Sequence, residues 1–183
     1  WRTVGPQLAD RPGAEVLVIG GAGPGSIGMY AAGIANALGA ARVDYVDSDD
    51  DRNGRAKRLG AELIENAELG EKLGSYPITV DASSNPAGLR SALRSTARDG
   101  TCTSTGIYFE DTPLPLFEMY SRNCTFITGR VHARPAIPEV LDLIAAGKLA
   151  PEIVTEAVVP WDDAPDALPH HEYKQVVSRE SPG

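Results

Sequence analysis

The sequence predicts an α/β fold, a doubly wound parallel sheet of about six strands in the order 3-2-1-4-5-6. Three observations carry the prediction. Short β-branched runs alternate with stretches of helical period, the rhythm of strands joined by crossover helices. The first strand runs into a glycine-rich turn that opens a helix. The second strand ends on an acidic residue roughly 20 residues beyond that turn. The 183 residues suit one α/β domain, residues 1–183, with no interior linker. A composition of 42% apolar and 23% charged residues supports a packed core and excludes disorder.

The elements follow in order. Arg11-Pro12-Gly13 is a turn, and Glu15–Ile19 reads as a buried strand. Ser26–Leu38 is a helix, with Ile27, Tyr30, Ala31, Ile34 and Leu38 at helical spacing and Gly39 closing it. Arg42–Val46 is the second strand, Asp50–Leu59 a helix, and Glu62–Ile64 a short third strand. Asn66–Leu73 is expected to be a weaker helix. Ile78–Val80 is the fourth strand, ending at Asp81. Pro86 suits a first helical turn, and its helix runs to about Ala97 before a turn at Arg98-Asp99-Gly100. Cys102–Ile107 is the fifth strand, residues 108–115 a loop, and Thr125–Thr128 the sixth strand. Pro138–Ala146 is an amphipathic helix closed by Gly147. Beyond it, Ile153–Val159 is expected to be extended, Asp162–Leu168 a short helix, and Tyr173–Val177 a last strand.

The turn Gly23-Pro24-Gly25-Ser26-Ile27-Gly28 fits G-x-G-x-x-G in its required strand–turn–helix context. That is the Rossmann-type dinucleotide fingerprint: one glycine for the tight turn, one for backbone approach to the pyrophosphate, one for close helix packing. The helix N-terminus then faces the phosphates, and Ser26 is expected to cap it. Gly20 and Gly21 lengthen the turn, so the glycine register is open by a residue or two. No Gly-Lys-Ser/Thr follows, which excludes a Walker A loop.

Asp47 stands at the tip of the second strand, where a carboxylate accepts hydrogen bonds from the adenosine ribose and repels a 2′-phosphate. Asp49, Asp50 and Asp51 add to that repulsion, and Asp49 or Asp50 is expected to cap the following helix. The cofactor is thus expected to be NAD rather than NADP, although Arg52 suits a 2′-phosphate. A calcium loop fails, with Arg52 where glycine is needed and Arg58 where glutamate is needed.

These residues resemble the cofactor domain of the medium-chain dehydrogenases/reductases, with the zinc-type alcohol dehydrogenases the best fit. The resemblance runs from Val16 to Asp47 and on through Arg58-Leu59-Gly60-Ala61, Val80-Asp81-Ala82-Ser83, Asp99-Gly100-Thr101 and Thr105-Gly106-Ile107 to Tyr173–Val177. It implies that Asp47, Ser48 and Arg52 surround the ribose and that Ser83 and Ser84 line the adenine side. It places Thr105, Gly106 and Ile107 against the nicotinamide, Gly129 after the sixth strand, and Lys174 near the pyrophosphate. It implies a homodimer through the sixth-strand region.

The turn also fits A-x-x-G-x-x-G through Ala22, Gly25 and Gly28, as in the zinc-independent quinone-reductase branch. In the family, catalytic residues and zinc ligands lie in a preceding domain, so no catalytic residue and no metal ligand is assigned here. Trp1 rather than Met opens the chain, which suggests an isolated domain. The expected activity is hydride transfer between NAD and an alcohol or carbonyl compound. Two other readings stand beside it: an NADPH-dependent quinone or enoyl reductase, and a free-standing NAD-binding module.

Other constellations fall away. No tyrosine has lysine four residues later, as short-chain dehydrogenases require, and no G-x-S-x-G elbow is present. His132 reads as a loop or interface residue, and His170 and His171 lack a third metal ligand. A net charge of −8 disfavours nucleic acid and anionic lipid as partners, leaving a small-molecule substrate. No apolar run reaches the ~18–20 residues that span a bilayer, and no secretory leader is visible. Cys102 and Cys124 form no C-x-x-C pair and read as free thiols, pointing to the cytoplasm.

Overall fold

The computed structural model describes residues 1–21, 25–170 and 174–179. Helix α1 (Gly5–Asp10) precedes β1 (Val16–Ile19), α2 (Ser26–Ala37), β2 (Val43–Val46), α3 (Asp50–Arg58) and β3 (Glu62–Leu63). Then follow β4 (Tyr76–Asp81), α4 (Pro86–Ser95), β5 (Thr96–Ser104), α5 (Leu116–Arg122), β6 (Thr125–Thr128) and α6 (Ile137–Ala145). The chain ends through β7 (Ala157–Pro160), α7 (Ala164–Ala167) and β8 (Gln175–Ser178). Six strands form one sheet in the order β3-β2-β1-β4-β5-β6, every pair parallel. This is the expected Rossmann-type doubly wound sheet. Strands β7 and β8 form a separate parallel pair.

Strand β1 is central and buried on both faces, which is why it reads as a continuous apolar run. Its alternate residues serve two cores. Val16 and Val18 pack with Met29, Ala32 and Val43 beneath α2. Leu17 and Ile19 pack with Leu89, Leu93 and Cys102 beneath α4. Helix α6 lays Val140, Leu143 and Ile144 against the first core. The cap expected at Asp49 or Asp50 is Asp49, which accepts from the Arg52 amide at 2.8 Å; Asn85 also caps its helix, accepting from the Ala87 amide at 2.8 Å.

Some expectations need correction. Asn66–Leu73 is not a helix. Its backbone is drawn sideways onto α4 instead: the Gly70 and Leu73 amides donate to Ser91 and Ser95 Oγ at 2.8 Å each, and Arg94 Nη1 donates to the Gly70 carbonyl. The expected turn at 98–100 lies inside β5 as a bulge, because β4 advances from Tyr76 to Ile78 while β5 advances from Thr96 to Thr101. Helix α5 was not expected; Asn123 ends it in the left-handed conformation at φ 54°. Helix α1 was also not expected. The segment expected to be extended from Ile153 begins as a 3₁₀ turn, Pro151–Val154, with only β7 extended. Arg55 Nη1 holds that turn by donating to the Ile153 and Thr155 carbonyls. Tyr173 lies outside the described residues, and the last strand is β8.

Candidate functional site

The carboxyl ends of β1, β2 and β4 open onto a cavity of about 840 Å³. It lies where β1 has β2 on one side and β4 on the other, the switch point at which doubly wound sheets hold ligands. Gly20, Asp47, Ser48, Arg52, Asn53 and Ser83 are among its lining.

The floor is built around Asp47. Its side chain is wholly covered, and four donors converge on its carboxylate. Tyr45 Oη donates to Oδ2 at 2.9 Å, and the Asp49 amide donates to Oδ1 at 3.1 Å. Arg52 supplies two more, Nε to Oδ2 at 2.9 Å and Nη2 to Oδ1 at 2.7 Å, a bidentate pair. The bond to Asp47 holds the Arg52 guanidinium above its ordinary pKa. Burial, then the Asp47 charge, pushes the Tyr45 phenol well up, so Tyr45 stays a proton donor.

The glycines fit around this cluster. A Cβ on Gly20 would collide with Tyr45 Oη and come within 2.7 Å of Asp47 Oδ2, so only glycine leaves room there. Gly25 has φ +60° and packs against the Arg52 side chain, and a Cβ at that position would collide with it. A Cβ on Gly28 would lie 3.2 Å from the Gly20 Cα, so α2 packs closely on the end of β1. Gly23 and Ala22 lie outside the described residues. Ser26 does not cap α2: Gly25 is the N-cap, and Ser26 is the first helical residue with no side-chain cap bond. Ile27 stands 55% exposed on the first turn.

The other expected residues divide. Ser83 lines the cavity, but its hydroxyl is turned to Asp81, donating to Oδ1 at 2.6 Å. Ser84 is tied to the β5 side, where its Oγ accepts from the Ile107 amide at 3.2 Å. Thr105 bonds the Asp81 carbonyl through its amide at 2.8 Å and its hydroxyl at 3.2 Å. Gly106 is fixed by the Ser104 hydroxyl at 3.3 Å. Gly129, just after β6, and Lys174, before β8, are exposed and do not line the cavity.

Sequence reasoning missed Tyr45 and Tyr108, which read as core and loop. It also passed over Asp81 as the mere end of a strand, although an acid closing a buried strand needs local donors. Among the described residues no three His, Cys, Asp or Glu side chains stand together as a metal site.

Comparison with known proteins identifies the family. The zinc-binding dehydrogenase family model matches residues 26–146. An alcohol dehydrogenase of Geobacillus stearothermophilus is 32% identical over 146 residues, 76% of this chain and 42% of that protein. An alcohol dehydrogenase of Moraxella sp. (strain TAE123) is 30% identical over 164 residues, 83% of this chain and 46% of that protein. The chain therefore spans less than half the length of these relatives. Among solved structures, the alcohol dehydrogenase TADH from Thermus sp. ATN1 superposes with a TM-score of 0.76 at 28% identity, covering 89% of this chain and 50% of that one.

Proposed function

Because the chain belongs to the zinc-binding dehydrogenase family, we propose that it is the cofactor-binding domain of an NAD-dependent, alcohol dehydrogenase-like oxidoreductase. The whole protein would move hydride between NAD and a small alcohol or carbonyl compound. The nicotinamide ring, when bound, supplies the hydride chemistry, and this chain's residues bind and orient the cofactor. Substrate polarisation and any zinc ligands are assigned to sequence outside this chain.

The observation that carries NAD is the Asp47 carboxylate at the tip of β2, at the base of the cavity. Ribose hydroxyls can replace the two Arg52 donors on that carboxylate, since Arg52 sits at the rim and its guanidinium can turn to water. The glycine turn, with Gly25, Ser26, Ile27 and Gly28, would face the pyrophosphate. Thr105–Ile107 would flank the nicotinamide. A 2′-phosphate would meet Asp47 and Asp50 as well as the cations Arg52 and Lys57, all of which line the cavity. The 183-residue chain should bind NADH at least about tenfold more tightly than NADPH, a difference of ~1.4 kcal/mol. Asp47→Ala should narrow that gap. Equal wild-type affinities by titration calorimetry would overturn the NAD assignment, and tighter binding of NADPH would assign the preference to Arg52 and Lys57 instead.

Two further parts of the reading concern partners and place. Strand β6 is an outer strand with Thr125, Ile127 and Thr128 exposed, an open edge suited to pairing with a second copy. A homodimer is the expectation, and a monomer by sedimentation at micromolar concentration would remove it from this chain. Cys102 and Cys124 are free thiols, which suits a reducing, cytoplasmic compartment. No described helix is long and apolar enough to cross a membrane.

A further inference from the structure

Asp81 ends β4 beside the cavity, and its side chain is fully buried. Among the described residues the donors on its carboxylate are all neutral. Ser83 gives its Oγ at 2.6 Å and its amide at 3.1 Å, both to Oδ1. On Oδ2, Ser104 Oγ donates at 2.6 Å and Tyr108 Oη at 2.7 Å. A buried carboxylate is tolerable only when donors of this number surround it. Three of the four belong to β5 or the turn after β4. The fourth comes from the loop that follows β5.

That loop is held at each successive amide. Thr105 donates to the Asp81 carbonyl, Gly106 to Ser104 Oγ, and Ile107 to Ser84 Oγ. Ser104 thus passes the carboxylate's hold along, donating to Asp81 and accepting from Gly106. Ser84 keeps its place with a left-handed backbone at φ 49°. The Tyr108 ring folds back over Gly106 so closely that a Cβ there would lie 2.7 Å from Cε2. Ile107 is left 68% exposed, an apolar surface at the end of a fastened strap. Burial and the Asp81 charge push the Tyr108 phenol well up, so it remains a donor throughout the neutral range.

We propose that Tyr108 is a positioning residue: through its bond to the buried Asp81 carboxylate it seats Thr105–Ile107 as a preformed ledge for the nicotinamide end of the cofactor. This rests on the reading of the cavity as a dinucleotide site. The physical advantage is preorganisation, since a ledge already fixed by polar bonds does not have to be ordered when the ring arrives. Tyr108 touches neither ring nor phosphate in this scheme and acts through the backbone it anchors.

The test compares NADH with ADP-ribose, which lacks the nicotinamide, on the 183-residue chain and its Tyr108→Phe variant. The variant should bind NADH roughly tenfold more weakly, about one hydrogen bond to a charged group, and bind ADP-ribose within about twofold of wild type. Amide hydrogen exchange at Thr105, Gly106 and Ile107 should quicken in the variant while exchange in β1 and β2 stays as in wild type. An unchanged NADH affinity, or equal losses for both ligands, overturns the positioning role, because general damage to the fold would not spare ADP-ribose. Wild-type affinities equal for the two ligands also overturn it, since no ledge would then be in use. If the wild-type chain binds neither ligand, the dinucleotide reading itself falls, and this role falls with it.

Discussion

Two covered carboxylates sit at the tips of the two strands that flank β1, Asp47 just after β2 and Asp81 at the end of β4, and the chain treats them differently. Asp47 is covered by a cation, the bidentate Arg52, whose side chain is 13% exposed at the cavity rim. Asp81 is covered by a phenol, Tyr108, with serines behind it and no cation among its described partners. An arginine on a flexible stem can leave for water at modest cost, so its cover is exchangeable. The Ser83 and Ser104 hydroxyls are buried away from water and stay on the carboxylate, so the second cover is structural. The difference teaches that a carboxylate's partner, more than its depth, separates a group that receives a ligand from one that holds the framework around it.

The comparison can be broken by stability measurements. The largest expected effect is for Asp81→Ala. It leaves the Ser104 and Tyr108 hydroxyls without their acceptor and opens a void, at a cost of about 3 kcal/mol in urea unfolding. Asp81→Asn should recover part of that loss, because the hydroxyls can rotate to accept from an amide. Asp47→Ala should cost less, about 2 kcal/mol, since Arg52 can turn to solvent and the groups that lose their acceptor are the Tyr45 hydroxyl and the Asp49 amide. A larger loss at Asp47 than at Asp81 would invert the distinction.

The smallest effect is read in alkaline solution. Tyr45 is pushed well above its ordinary value of 10 by burial and Asp47, and Cys102 well above 9 by burial. Unfolded, each group ionises at its ordinary value, whereas folded it stays protonated far higher. Above that point the unfolded state binds fewer protons, so stability falls as pH rises. The contribution is intact below about pH 9 and is lost above it, at up to about 1.4 kcal/mol per pH unit for each group. Tyr45→Phe should make the decline above pH 10 visibly shallower. An unaltered slope would mean that Tyr45 ionises normally and is not sealed beneath the turn.

Much of the framework was legible because it depends on local pattern. The apolar run of β1, the alternation of strands and helices, and the cap at Asp49 are properties of neighbouring residues. They predicted the sheet order and placed Asp47 at the tip of β2. The misreadings fall where distant groups decide. Gly70 and Leu73 find acceptors on α4, so the 66–73 segment gives up its own helical bonds. Ser26 is expected to be the cap, but the turn reaches the helix through Gly25 in the left-handed conformation at φ +60°, so Gly25 is the N-cap and Ser26 already the first helical residue.

By itself the sequence determined the order of the elements, the strand that lies at the centre, and the acid that closes β2. Each follows from periodicity, glycine spacing and burial preference within a short window of chain. Only the tertiary structure decided how each acid is used. Asp47 meets Arg52 across five residues, while Asp81 meets Ser104 and Tyr108 across more than twenty, once β5 lies beside β4. A carboxylate's behaviour depends on the donors within about 3 Å of it, and folding, not spacing in the chain, brings those donors together.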